Sequence, residues 1–187
     1  ALSALSILGL SPAAFRASLV PDGVFQIATT TAPVIAEKGE LPIGIEIPSI
    51  GVKANVANPR TNDLATIDQE LLAGAVRYPG TGIPGERGNV LLFGHSSHLP
   101  VVHNQAYKAF NDIQNLKEGE LIYVVGGTKV FVYAVETVEE ANTATDAISL
   151  DVNGSRLTLA TCNNFGTKED RFIVTAKLVS VADREAE

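Results

Sequence analysis

The single cysteine, Cys162, closes the apolar run Leu157-Thr158-Leu159-Ala160-Thr161 and is followed at once by Asn163-Asn164-Phe165-Gly166. A thiol at the last position of a strand, beside a loop, is accessible while its backbone stays rigidly placed, which suits a nucleophile. A lone cysteine is also, just as often, a small buried apolar residue, and position alone does not choose between the two. His95 repeats the arrangement. Val90 to Phe93 reads as a buried strand, Gly94 ends it, and the imidazole follows. An imidazole titrates near neutral pH, so it can activate a thiol or protonate a departing amine; an isolated surface histidine needs no such role. Arg171 opens the strand after the loop that begins at Cys162. If those two strands are antiparallel neighbours, its guanidinium comes near the thiol, where it would lower the thiol pKa, hold a substrate carbonyl or stabilise an oxyanion. By itself an arginine at a strand edge is an ordinary surface cation. Together the three residues supply the minimum for acyl transfer through a thiol: a nucleophile, an acid–base and an oxyanion partner.

Such a trio needs strands to hold it. From Leu41 the residues alternate, with Leu41, Ile43, Ile45 and Ile47 on one face, and Pro42 and Pro48 confine this strand to an edge or its ends. A second strand is expected over Ile50 to Val56. Between Leu64 and Val76 the period becomes helical: Ile67, Leu71, Leu72 and Ala75 form one stripe, Asp63 or Thr66 offers an N-cap, and Tyr78-Pro79-Gly80 stops the helix. Pro84 to Asn89 is a turn feeding Val90 to Phe93, and Asn104 to Phe110 reads as a short helix. Glu120–Val125 and Thr128–Val138 form a hairpin around Gly126-Gly127, a pair suited to two positive φ angles. A polar connection, Glu139 to Arg156, leads to the last strands, Arg156–Thr161 and Arg171–Val181. Seven or eight strands without interleaved helices predict a mostly β, closed barrel with one or two short helices. Residues 1–38 are expected to form an N-terminal arm, with a short helix over Pro12 to Leu19, residues 39–182 the barrel domain, and residues 183–187 a frayed tail.

Composition narrows the function. The 187 residues are 45% apolar and 19% charged, enough for one core and too apolar for wholesale disorder. The net charge is −7 with no basic cluster, which disfavours nucleic acid and anionic membrane surfaces as partners. One cysteine precludes an internal disulfide. No run approaches the roughly 20 apolar residues that cross a bilayer. The lack of Met, at position 1 included, leads us to expect a trimmed chain whose anchor or signal lies outside this sequence. His95, His98 and His103 invite a metal, but Pro100 breaks the segment and neither a helix nor paired loops present them. Glu136, Glu139, Glu140, Asp146 and Asp151 lack EF-hand spacing. No metal or cofactor is expected.

The stretch Thr158-Leu159-Ala160-Thr161-Cys162 matches the sortase signature TLxTC at every fixed position, Arg171 follows nine residues later, Gly94-His95 stands upstream, and Pro84 to Asn89 has the same character. Over approximately Leu41 to Val181 the chain resembles the sortase family. The resemblance implies a sortase-type barrel in which Cys162 attacks an LPxTG-like sorting signal after its Thr, His95 protonates the departing glycine amine and later assists the incoming amine, and Arg171 holds the substrate and the oxyanion. Thr161 is implied as an oxyanion-supporting residue. The implied partners are the sorting-signal peptide of secreted proteins and an amine acceptor on the cell wall or a pilin. The implied place is the extracellular face of the bacterial membrane, with an apolar groove near the catalytic strands and the 139–156 connection. Some sortases bind calcium through that acidic connection. The lid motif of pilin-polymerising sortases, Asp-Pro-aromatic, is absent: the arm offers only Pro21-Asp22-Gly23. Two alternatives stay open, a thiol endopeptidase with water as acceptor and a non-catalytic binding module of the same fold.

Overall fold

The computed structural model describes residues 18–19, 25–26, 38–97, 99–142, 148, 152–163 and 170–184. Among these residues the strands are β1 (Ser18–Leu19), β2 (Phe25–Gln26), β3 (Gly44–Ile47), β4 (Val52–Ala57), β5 (Ala75–Arg77), β6 (Gly88–Ser96), β7 (Leu121–Val125), β8 (Lys129–Asn142), β9 (Ser155–Asn163) and β10 (Asp170–Asp183), and the one α-helix is α1 (Leu64–Leu71). Eight of the strands close into a barrel in the order β10-β8-β7-β3-β4-β5-β6-β9, the closed architecture expected. Most neighbours are antiparallel. The exceptions are β4 with β5 and β6 with β9, which run parallel. Parallel neighbours need a crossover, supplied by α1 for the first pair and by β7 and β8 for the second.

Alternation decides what faces inward. Ile45 and Ile47 of β3, Val90 and Leu92 of β6, Leu157 and Leu159 of β9 and Val174 and Ala176 of β10 all belong to one buried cluster filling the barrel. Each large aliphatic side chain so removed from water contributes about 1.5–3 kcal/mol. The residues between them face outward. There Val76 of β5, with Phe93 of β6, receives Ile67 and Leu71 from α1, a second and smaller cluster outside the barrel.

Several sequence expectations shift. The Asp63 carboxylate accepts from Thr66 N at 3.0 Å and caps α1, as one of the two candidates. The helix then stops at Leu71, so Leu72 is exposed and Ala75 belongs to a strand. A Cβ on Gly74 would lie 2.4 Å from the Asn55 carbonyl oxygen; the chain here runs against β4, and pairing of Ala75 with Val56 outweighs the helical stripe. The alternating run starts late, because Leu41 and Ile43 precede β3 at the barrel rim and are half exposed. Ser18 and Leu19, read as the end of a short helix, instead pair with Gln26 and Phe25. The rest of that helix lies outside the described residues. At the other end the sheet reaches Asp183, and Arg184 N donates to Thr128 O at 2.7 Å, so order extends past the expected boundary.

The β7–β8 turn also has a different cause. Neither Gly126 nor Gly127 takes a positive φ. Instead the Glu40 carboxylate sits in the turn, accepting from Thr128 N at 2.8 Å and from the Thr128 hydroxyl. A Cβ on Gly126 would fall 2.5 Å from the same carboxylate. The Thr128 hydroxyl and amide hold the Glu40 carboxyl below its usual range.

Candidate active site

His95 lies on β6 and Cys162 on β9, and the parallel register pairs them directly, as it pairs Gly94 with Thr161 and Phe93 with Ala160. On the far side of β9 runs β10, where Ile173 pairs with Ala160 and Val174 with Leu159. The β9–β10 pairing runs to Ile173 and Ala160, and Arg171 stands two residues further toward the start of β10. Residues in lateral register share a face. Because Leu92, Leu159 and Val174 belong to the core filling the barrel, positions 95, 162 and 171 have the outward parity, each on its own strand. The backbone therefore pairs His95 with Cys162 and places Arg171 near the start of the third strand, β10.

The next row on the same outer face is Phe93, Ala160 and Ile173, followed by Leu91, Thr158 and Thr175. An apolar floor thus adjoins the row, continuing into threonines whose hydroxyls are engaged: Thr158 bonds the Asn89 side chain at 3.0 Å and Thr175 the Thr137 hydroxyl at 2.8 Å. Of the 139–156 connection expected along this groove, residues 139–142 belong to β8 and 155–156 to β9, while residues 143–147 and 149–151 lie outside the described residues, as do His98 and residues 164–169.

Thr161 has the inward parity and is fully buried. Its Oγ1 accepts from Phe172 N at 3.2 Å, fastening β9 to β10 next to Arg171. Its hydroxyl is thereby committed to holding the two strands in register.

His95 is partly buried. Desolvation lowers its pKa from the ordinary imidazole value, opposed by the Asp68 carboxylate on α1. The neutral ring is therefore its resting form at neutral pH. Beneath it, Gly94 leaves room for Phe110: a Cβ there would meet the Phe110 ring at 2.6 Å. Phe110 N donates to His95 O at 2.9 Å, so the segment after β6 folds back onto the histidine. That segment forms a 3₁₀ turn, Gln105–Lys108, shorter than the helix expected over Asn104 to Phe110, with Asn104 as its cap. Its Tyr107 ring stands 5.3 Å from the His95 ring, centroid to centroid, at 42°. Asp68 and Tyr107 were not legible as site residues, since neither belongs to a motif and both reach the histidine only through the fold. Among the described residues no group of three or more metal-ligating side chains comes together, and no helix is long and apolar enough to cross a membrane.

The Sortase domain family matches residues 45–179, the stretch that carries the barrel and His95, Cys162 and Arg171. This chain belongs to the sortase family. Sortase A of Bacillus anthracis is 29% identical over 135 residues, which make up 72% of this chain and 58% of that protein; the chain thus spans little more than half of that relative. The structure of sortase A from Listeria monocytogenes aligns with a TM-score of 0.61 and 26% identity, covering 78% of this chain and 92% of that one. A Clostridium perfringens sortase D5 transpeptidase aligns with a TM-score of 0.56 at 26% identity, covering 76% and 82%. The sortase resemblance drawn from TLxTC and its companions is thus upheld, and the sortase barrel with it.

Proposed function

We propose that this sortase is a cysteine transpeptidase acting through Cys162, His95 and Arg171 on an LPxTG-like sorting signal at the extracellular face of a bacterial membrane. The observation that carries the reading is the direct β6–β9 pairing of His95 with Cys162; Arg171 near the start of β10, the other neighbour of β9, supports it. The Cys162 thiolate attacks the carbonyl carbon of the substrate Thr, and the electron pair moves onto oxygen, where Arg171 offsets the charge. As the tetrahedral intermediate collapses, the C–N bond breaks and His95 gives its proton to the departing glycine amine, leaving a thioester on Cys162. An acceptor amine from a cell-wall peptide or a pilin then attacks. His95 takes the proton back and the thiolate leaves. Thr161 supports the oxyanion side by fixing the β9–β10 register. The partly exposed Phe93 and Ile173, on either side of the buried Ala160, suit the aliphatic part of the signal and keep water from the reacting carbonyl.

The test is a small panel of LPxTG-like peptides incubated with and without oligoglycine, with the products read by mass. The reading expects cleavage after Thr and a new amide when the amine is present. Hydrolysis alone, unchanged by added amines, would instead identify an endopeptidase, and no cleavage across the panel would point to a binding module.

A further inference from the structure

The chain after His95 is tied down independently of the Tyr107 side chain. Asn111 and Ser97 exchange two hydrogen bonds, Ser97 N to Asn111 Oδ1 at 2.8 Å and Asn111 Nδ2 to Ser97 O at 3.0 Å. Phe110 N reaches His95 O, and the Phe110 ring is completely buried under Gly94. Asn104 caps the 3₁₀ turn through Ala106 N at 3.0 Å and reaches across to Leu72 O, behind α1, at 2.7 Å. These bonds fix the backbone of Tyr107 on three sides, and what they fix is an aromatic ring against the imidazole. The 5.3 Å centroid separation and 42° tilt are those of a packed aromatic pair. Tyr107 itself remains 39% exposed, so its ring is a wall against the imidazole that is also partly open to water. An aromatic face accepts either a neutral ring or a cation, so the wall survives both protonation states that acyl transfer demands of the histidine.

Resting on the reading of His95 as the acid–base, we propose that Tyr107 is its positioning residue: the ring sets the orientation of the imidazole and shields it from water, through shape and with no need of the hydroxyl. Among the described residues, the Asp68 carboxylate on α1 is the charge that acts on His95, and Cys162 on β9 is its register partner. Lys108, the neighbour of Tyr107, is turned away and donates to Pro100 O at 3.1 Å. Tyr107 thus brings an aromatic surface to the imidazole from the turn.

The test compares Tyr107→Phe and Tyr107→Ala with Leu99→Ser, a change in the same loop, by NMR titration of His95 and by kcat and KM on a cleaved peptide. Tyr107→Phe is expected to match the parent in both. Tyr107→Ala is expected to raise the His95 pKa toward the ordinary imidazole value and to lower kcat about tenfold or more, with KM changed by less than about twofold. Leu99→Ser is expected to do neither. An unmoved His95 titration in Tyr107→Ala, or a Tyr107→Phe variant as impaired as Tyr107→Ala, would overturn the proposal. If Tyr107→Ala loses the cooperative thermal transition of the parent, Tyr107→Leu takes its place in the same comparison. The titration needs no turnover, so a parent protein without peptide activity defeats the proposed function while the NMR result still decides the role of Tyr107.

Discussion

His95 resists protonation because its ring is partly desolvated, and this shapes the pH behaviour of the proposed chemistry. Transfer needs a thiolate and an imidazolium together. An ordinary thiol is a weaker acid than an ordinary imidazolium, and desolvation widens the gap by lowering the His95 pKa. For a thiol of ordinary acidity the reactive pair is then the minority form. Its population is constant between the two pKa values and falls outside them: below the imidazole's value the thiol stays protonated, and above the thiol's value the imidazolium is gone. The rate of acyl-enzyme formation should therefore be bell-shaped in pH, with desolvation of His95 moving its acid limb to lower pH than an ordinary imidazole would give. Measured kcat/KM across pH 4 to 10 checks this; a monotonic rise into alkali would exclude His95 as a proton donor. The same shift acts on stability. The unfolded chain binds this proton more readily, so the native state is favoured above about pH 6.5 and loses that contribution as pH falls through the lower folded value. Cys162, His95 and Arg171 stood out as candidates in the sequence because few residue types do acyl chemistry and each stands near a strand end. Tyr107 was not, because a lone aromatic in a loop has no marker until the loop folds back.

At the scale of elements, the site depends on two strands running parallel. Only parallel neighbours bring the C-terminal ends of β6 and β9 to the same rim, and β10 returns antiparallel to add Arg171. The sequence carried the strands themselves, through alternation at Ile45 and Ile47 and the apolar runs before His95 and Cys162. It did not carry their pairing, which is a long-range property. The same limit explains α1: the stripe extended by pattern to Ala75, and the close passage of Gly74 over Asn55 ended it four residues earlier. It also explains Gly126, which serves to admit the Glu40 carboxylate. Gly94 is the sharpest such case beside the row. A methyl group there must displace the fully buried Phe110 ring, whose segment holds His95 O. Gly94→Ala should destabilise the domain by about 1–3 kcal/mol and impair turnover beyond what the lost stability explains. Urea melts with parallel activity assays measure both. Parent-like stability would mean that Phe110 yields more easily than its burial implies.

For the whole molecule, the barrel separates two tasks between its faces. Inward residues supply the apolar core, so the strand ends are rigid. Outward residues at one rim are free to carry chemistry on a fixed backbone, beside an apolar floor. Thr161 connects the two tasks, buried on the inner face yet tying β9 to β10 next to Arg171. The account as a whole requires that the peptide become covalently attached at one position of this rim. Intact-mass analysis of the protein, quenched in acid during turnover of an LPxTG-like peptide, tests that directly. The predicted result is a thioester adduct of the fragment ending in Thr, mapped to Cys162 and absent from a Cys162→Ala variant that melts like the parent and cleaves nothing. Continued cleavage by Cys162→Ala, or an adduct mapped to any other residue, would contradict it.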